Sequence, residues 1–452
     1  MEVEDHITLF KDIFPFNDVP RIIINDSINR KFFHLNEIFL TDTTLRDGQQ
    51  GWRNFTIDEG IRIFLSLVEL NGGSNAIASS EFFLYTEKDR KLVKELRDYD
   101  FKYPKIIGWI RASRNDLRLV IENKLDETVI LTSISDYHIY YKLGLTRDLA
   151  FRKYLSIIEE ALKKGITVRC ALEDATRADV HKNIVPFIKQ VLKLSEKYKI
   201  PTKIKIADTL GLGLPFPDVP PPRGIPALIQ TIINETGIEN KWIEFHGHND
   251  LGLVIANHLA AWIYGAAGSN CTLLGIGERA GNCPLEIMLI HYAGIKKGND
   301  VNLKAISKIV ELFTSLGFKI PEFHPLIGEN AFRTKAGIHI DGLMKKPKIY
   351  LPFNPLTVLG VPYTISITPY SGRAAIAFWI NSYFNLRGGN AISKDDMRIK
   401  SIYNEILKIF EENNRRTALS NQEMLKLVSK YFPELCSKYC NRKVGSSKIF
   451  WG

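Results

Sequence analysis

Short apolar runs alternate with longer stretches of helical periodicity along most of the chain. The runs are EIFLTD (37–42), NAIASS (75–80), KIIGWI (105–110), ETVILTS (127–133), ITVRCALE (166–173), TKIKIAD (202–208), WIEFHGH (242–248) and NCTLLGIG (270–277). Their length and near-continuous hydrophobicity predict buried strands of a parallel sheet. Between them, segments such as DEGIRIFLSLVELNG and TRDLAFRKYLSIIEEALKKG repeat apolar residues at helical spacing and place glycine just past the end, which predicts amphipathic helices. Strand and helix alternate eight times, and no GxGxxG turn follows the first strand. The pattern therefore predicts an α/β chain folded as a (β/α)8 TIM barrel rather than an open doubly wound sheet. The barrel is expected over residues 30–315, after an N-terminal extension (1–29) and before a linker subdomain (316–369) and a mainly helical C-terminal region (370–452).

A barrel of this kind presents its chemistry at the C-terminal ends of its strands. Here those ends are polar: Asp42 and RDGQQ after the first, Ser79, Ser80 and Glu81 at the second, Arg111 at the third, and SDYH with His138 after the fourth. The fifth ends in Glu173 and Asp174, the sixth in Asp208 and Thr209, the seventh in HGHND, the eighth in GERAGN. A purely structural barrel would finish its strands in ordinary turn residues, so the eight polar ends predict one shared site.

His246 and His248 are two apart on a strand and point to the same face. With the carboxylate of Asp47 they offer a mixed N/O donor set with room for water and substrate, to which Asn282 could add an amide oxygen. That set suits a divalent ion such as Mn2+, Mg2+, Co2+ or Zn2+, and the absence of thiolate argues against a closed structural zinc site.

Composition narrows the partners. Lys and Arg total 60 against 50 Asp and Glu, a formal charge of +10 over 452 residues, with no basic run and no nucleic-acid motif. Small anions are favoured over nucleic acid. No segment is long and apolar enough to span a bilayer, and the N-terminus MEVEDHITLF is acidic where a signal peptide would be basic, so a cytoplasmic location is expected. The five cysteines are scattered and read as reduced thiols.

The motifs DTTLRDGQQ, HGHND and GERAGN, followed by ENAFRTKAGIHIDG and YSGRAAI, resemble the family of 2-isopropylmalate, homocitrate and citramalate synthases. These are acyl-CoA-dependent Claisen enzymes on a metal-bearing barrel, and the resemblance runs over residues 20–385. SEFFLY, TSISDYHIYYKLG, PFPDVPPPRGIP and AFWIN are most similar to the Re-type citrate synthase branch. The resemblance implies that Asp47, His246 and His248 hold the metal, with Asn282 in or near the coordination sphere. It further implies that a 2-oxo acid chelates the ion, that Arg46 stabilises the developing alkoxide, and that Gln50 and Thr209 orient the substrate. The base that forms the acetyl-CoA enolate would be Glu173 or His339, the latter reaching in from the partner subunit of a homodimer, with Tyr363 assisting. The acidic residue usual after strand 2 is read as replaced by ASSEFF. Arg111, His138 and Lys142 give the pocket positive character, which favours oxaloacetate and hence citrate. Homocitrate synthesis from 2-oxoglutarate, isopropylmalate or citramalate synthesis, and condensation with a phosphorus-bearing donor stay open. So does a lyase of the hydroxymethylglutaryl-CoA type or an oxo-acid aldolase, although AGIHIDG belongs to the synthases. The chain length leaves no room for the additional regulatory domain of many isopropylmalate synthases.

Overall fold

Eight parallel strands close into a barrel in a computed structural model that describes residues 8–24, 37–297, 300–412 and 415–437. The strands are β1 (Phe39–Asp42), β2 (Ile77–Phe82), β3 (Lys105–Arg111), β4 (Glu127–Ser133), β5 (Thr167–Glu173), β6 (Thr202–Asp208), β7 (Ile243–Gly247) and β8 (Gly268–Cys271), each paired with its neighbours in sequence and β8 closing on β1. The outer helices are α1 (Ile57–Asn71), α2 (Glu87–Asp98), α3 (Arg114–Glu122), α4 (Arg147–Lys163), α5 (Val185–Tyr198), α6 (Ile225–Thr236), α7 (Val254–Ile263) and α8 (Leu285–Lys296). Their limits follow local chemistry. Thr56 and Glu59 close a reciprocal capping box at the start of α1, and Gly72, at φ +56°, ends it in the left-handed conformation that glycine adopts without penalty.

One strand departs from expectation. β8 begins at Gly268 and stops at Cys271, and the apolar TLLGIG segment is instead a tight turn with Leu274 at φ +58°. Leu273 and Leu274 are buried there, so their hydrophobicity marks packing at the strand end rather than more strand.

The apolar core lies between the strands and the helices, with Phe64, Phe82, Phe187, Phe245 and Trp262 fully buried. Inside the barrel a layer of charge replaces aliphatic packing. Glu81 on β2 pairs with Lys205 on β6, Lys205 lies 3.5 Å from Glu244 on β7, and Arg169 on β5 bridges Glu244 (2.7 Å) and Glu127 on β4 (2.8 Å). Lys203 completes the layer 2.6 Å from Glu127. Buried ions persist only when each is met by an opposite charge, and these are.

Contact clustering divides the chain into residues 23–302 and a second unit of residues 1–22 with 303–452. Helix α9 (Ala305–Ser315), placed at the end of the barrel by the sequence pattern, groups with the second unit. That unit also holds a two-stranded parallel ribbon, β9 (Arg333–Thr334) with β10 (Thr364–Ile365), and helices α10 (Gly337–Lys345), α11 (Arg373–Tyr383), α12 (Met397–Glu412) and α13 (Asn421–Tyr431). Trp379, Ile376, Ile402, Ile406, Met424 and Val428 form its buried apolar interior. Cys170, Cys271 and Cys283 are free thiols, no disulfide joins the described cysteines, and Cys440 lies outside the described residues. No described helix is long and apolar enough to cross a membrane.

Candidate metal centre

Directly after β1 the backbone enters a single π-helical turn, Thr44–Gly48, in which the amides of Asp47 and Gly48 both reach the carbonyl of Thr43 (2.7 and 3.2 Å). Such turns insert a residue into the helical repeat and redirect side chains, and here both Arg46 and Asp47 are buried. Asp42 fixes the turn. It accepts hydrogen bonds from the Thr44 amide (3.1 Å), the Thr44 hydroxyl (2.5 Å) and the Ser80 hydroxyl (2.6 Å). Burial outweighs these bonds and pushes its carboxyl up to about 6.

Arg46 donates from Nη1 to Asp47 Oδ1 (2.7 Å) and from Nη2 and Nε to Glu81 Oε2 (3.0 and 3.3 Å). Its guanidinium also lies 5.2 Å from the Trp109 ring. The salt bridge to Asp47 thus forms, but it engages one carboxylate oxygen only. The other, Oδ2, accepts from Asn282 Nδ2 (2.6 Å) and stands 3.7 Å from Nε2 of both His246 and His248. The two Nε2 atoms are themselves 3.3 Å apart.

The surroundings fix the tautomer of His246. Asn270 donates its amide N–H to Thr41 Oγ1 (2.8 Å), while the Thr41 hydroxyl donates to Glu244. The amide oxygen of Asn270 is therefore the acceptor for His246 Nδ1 (2.8 Å), which leaves the Nε2 lone pair facing Asp47. Burial, with the neighbouring His248, depresses His246 well below the usual imidazole range, and burial lowers His248 as well. Although burial opposes it, the Arg46 guanidinium, helped by the Asn282 hydrogen bond, holds Asp47 below the usual carboxylate range. The centre therefore offers neutral imidazoles and an ionised carboxylate at neutral pH. Asn282 Oδ1 is buried without a hydrogen-bond partner beside them. Two imidazole lone pairs, a carboxylate oxygen and an orphaned amide oxygen are the donor chemistry of a divalent cation, so the residues fit such an ion.

The loop that supplies Asn282 is held by close backbone approach. A Cβ on Gly277 would stand 2.5 Å from Asn282 Oδ1, and one on Gly51 would stand 2.1 Å from the Gly277 carbonyl. Arg279, at φ +54°, is clamped by Asp250 (2.7 and 3.0 Å) and by the Thr209 carbonyl (2.5 Å).

The remaining site residues predicted from sequence fall in different places. Glu173 accepts from Ser133 and from Lys142 (2.7 and 2.8 Å) and lies 3.1 Å from His138 Nδ1. Burial would raise its carboxyl, yet His138 and Lys142 bring it to about 2. So acidic a group accepts a proton poorly while these contacts hold, and Glu173 keeps His138 and Lys142 in position. Arg111 is likewise committed, in a bidentate pair with Asp116 (2.9 and 3.0 Å), and its side chain is two-thirds exposed. The three residues read as giving the pocket positive character thus each lie against a carboxylate. The Thr209 hydroxyl accepts from the Asp174 amide (2.8 Å). Gln50 is exposed, whereas the adjacent Gln49 turns in to the Leu45 carbonyl (2.7 Å). His339 and Tyr363 belong to the second unit, where His339 is exposed with its ring 4.5 Å from Tyr350 and Tyr363 is half-buried 6.3 Å from Phe378.

Glu81 stands among the polar strand ends read from the sequence, but without the role the structure gives it. It accepts from Arg46, Thr43 (3.0 Å), Lys205 and Asn270 (3.3 Å), so ASSEFF retains an acidic partner for the site rather than replacing one. Its signal was a carboxylate inside an apolar strand, as Lys205 is a cation inside TKIKIAD.

Residues 37–313 match the HMGL-like family, and residues 326–411 match the family described as homocitrate synthase post-HMGL domain-like. Among curated proteins, the chain is 42% identical to the citrate (Re)-synthase of Clostridium kluyveri over 95% of each chain. It is 40% identical to that of Syntrophus aciditrophicus over 95% of this chain and 68% of the relative. It is 37% identical to the 2-phosphinomethylmalate synthase of Streptomyces hygroscopicus over 87% and 89%. The fold matches that of the hydroxymethylglutaryl-CoA lyase of Pseudomonas aeruginosa, with a TM-score of 0.51 at 14% identity over 63% of this chain and 94% of that one.

Proposed function

The chain belongs to the HMGL-like family of acyl-CoA-dependent condensing synthases, and from that premise we propose that it joins acetyl-CoA to oxaloacetate, releasing citrate of Re stereochemistry and CoA. The observation that carries the chemistry is the convergence of Asp47 Oδ2 and the two imidazole Nε2 atoms on one point, beside a buried arginine with donors to spare. Asp47, His246 and His248, with Asn282, would hold a divalent ion. When bound, that ion supplies Lewis acidity to the ketone of the 2-oxo acid.

The chain's own residues supply the rest. Arg46 uses three of its five N–H groups on Asp47 and Glu81, so two remain for an oxygen that gains negative charge when the acetyl carbon attacks. Glu81 and Asp47 hold the guanidinium plane, which removes reorganisation from the reaction step. Removal of a methyl proton from acetyl-CoA gives an enolate, its carbon bonds to the keto carbon, and the alkoxide takes up a proton. Water then cleaves the thioester and frees the CoA thiol. With Glu173 held as an acidic ion pair, His339 is the better candidate for the proton acceptor, supplied by the second unit of a partner chain in a homodimer.

The choice of oxaloacetate rests on the relatives, since Arg111, His138 and Lys142 are already paired. The test is thiol release from acetyl-CoA across oxaloacetate, 2-oxoglutarate, pyruvate and 2-oxoisovalerate, with stereochemical analysis of any citrate. Release with oxaloacetate alone supports the proposal, and release with another acid alone would replace it.

A further inference from the structure

A second cluster of metal-type donors lies on the opposite face of β8 from the centre described above. Asn270 turns into the barrel, so strand alternation turns Ser269 and Cys271 outward toward the helices. Helix α7 brings His258 to the same place, and the bend before α8 brings Cys283. A ring nitrogen of His258 and the sulfurs of Cys271 and Cys283 lie within 4.8 Å of one another, and all three side chains are fully buried. Eleven residues separate Cys271 from Cys283 in the chain, which is not a recognisable paired spacing, so only the fold brings them together.

We propose that His258, Cys271 and Cys283 bind a soft closed-shell ion, zinc or copper(I), in a buried structural site separate from the one at the barrel mouth. Two sulfurs and one imidazole favour soft ions, in contrast to the N/O set of Asp47, His246 and His248. Ser269 Oγ, 2.6 Å from His258 Nδ1, orients the ring as hydrogen-bonding groups orient ligating histidines. Nε2 of the same ring is buried with no hydrogen-bond partner, a deficit that a bound cation removes. The same Ser269 oxygen lies 3.3 Å from Cys271 Sγ, within the cluster. Ion binding would release the thiol protons to solvent as the chain folds, with no change of oxidation state.

The place of the cluster gives it a task. Thr272 and Cys283 join the two ends of the loop that carries Arg279 and Asn282, through Thr272 N to Cys283 O (3.0 Å) and Leu285 N to Thr272 O (2.8 Å). An ion shared by Cys271 and Cys283 would fasten the same two ends through side chains and so position Asn282.

The test is elemental analysis of the purified chain and of a His246→Ala/His248→Ala variant in which the barrel-mouth centre is removed. The expected result is about one equivalent of zinc or copper retained by that variant, released only on unfolding, and lost when Cys271→Ser or Cys283→Ser is added. Reconstitution with cobalt should give a thiolate charge-transfer band in the near ultraviolet that disappears with either cysteine. Zinc or copper is named by the same analysis. If a cysteine variant fails to fold, the metal freed by denaturing the wild-type chain after chelation of the accessible ion decides alone. Absence of zinc and copper from that denatured sample, together with absence of the cobalt band, overturns the proposal.

Discussion

Arg46 and Asp47, adjacent in the chain, bind each other through Nη1 and Oδ1 at 2.7 Å, and by doing so leave Asp47 Oδ2 as the oxygen that faces the two histidines. One carboxylate thus orients an arginine with one oxygen and completes a metal donor set with the other.

Arg46→Lys retains a charge but has no planar fork to span Asp47 and Glu81 together. We expect kcat for CoA release to fall by roughly 10²-fold with the metal content unchanged. An unaltered kcat would leave Arg46 with a structural role only. Glu81→Gln, which frees the guanidinium from one side, should lower kcat in the same direction.

Removal of either imidazole should remove the ion and the activity together. His246→Ala and His248→Ala are each expected to lose metal at the barrel mouth and turnover, and chelation of the wild-type enzyme should do the same reversibly. A fully active preparation without that metal would refute the assignment of Asp47, His246 and His248.

Gly277→Ala tests the packing of Asn282. The new Cβ would meet Asn282 Oδ1 at 2.5 Å and Cγ at 2.7 Å, so the amide must move. Metal affinity measured by titration calorimetry should weaken on the order of 10- to 100-fold, as for disturbed support of a ligand. Wild-type affinity in this variant would show that Asn282 is not needed.

Asp42 gives a pH signature. Its carboxyl, pushed up to about 6 from the ordinary 3.8, binds a proton in the native state between those values, so stability from this group falls as pH rises through that window. Glu173, held at about 2, acts in the opposite sense and loses its contribution only as pH falls below the ordinary carboxylate range. In urea denaturation, Asp42→Asn should gain on wild type from pH 4 to pH 7 by up to roughly 3 kcal/mol. A constant difference across that range would show that Asp42 is not the titrating group.

The proposed dimer makes a complementation experiment possible. Arg46→Ala and His339→Ala chains should each be nearly inactive, and subunit exchange should restore about a quarter of wild-type activity if one intact site forms per mixed dimer. Exchange without recovery would place His339 in its own chain's site or outside the reaction.

The barrel was legible in sequence because each strand is a separate apolar run and the first four outer helices each open on a Thr or Ser cap. The end of β8 was not, since buried turn residues such as Leu273 and Leu274 carry the same hydrophobic signal as strand. The metal residues stood out through HxH and RDG, whereas Glu81 showed only as a polar strand end and not as the partner of Arg46. Its partner Lys205 is 124 positions away, and only barrel closure makes the two neighbours. The pairing of Arg111, His138 and Lys142 was hidden for a similar reason, because a cation in sequence does not show whether a carboxylate already faces it.

The charged layer inside the barrel also bears on how the chain reaches its fold. Glu81, Glu127, Arg169, Lys203, Lys205 and Glu244 come from β2, β4, β5, β6 and β7, so no contiguous half of the sheet contains a balanced set. A fragment ending after β4 holds Glu127 without either of its cations and leaves Glu81 with Arg46 alone, and burying the Glu127 carboxylate unpaired would cost several kcal/mol. Closure of the barrel is therefore cooperative: half-barrels of this sequence should stay unfolded when expressed alone, and the ring of strands should form in a single step.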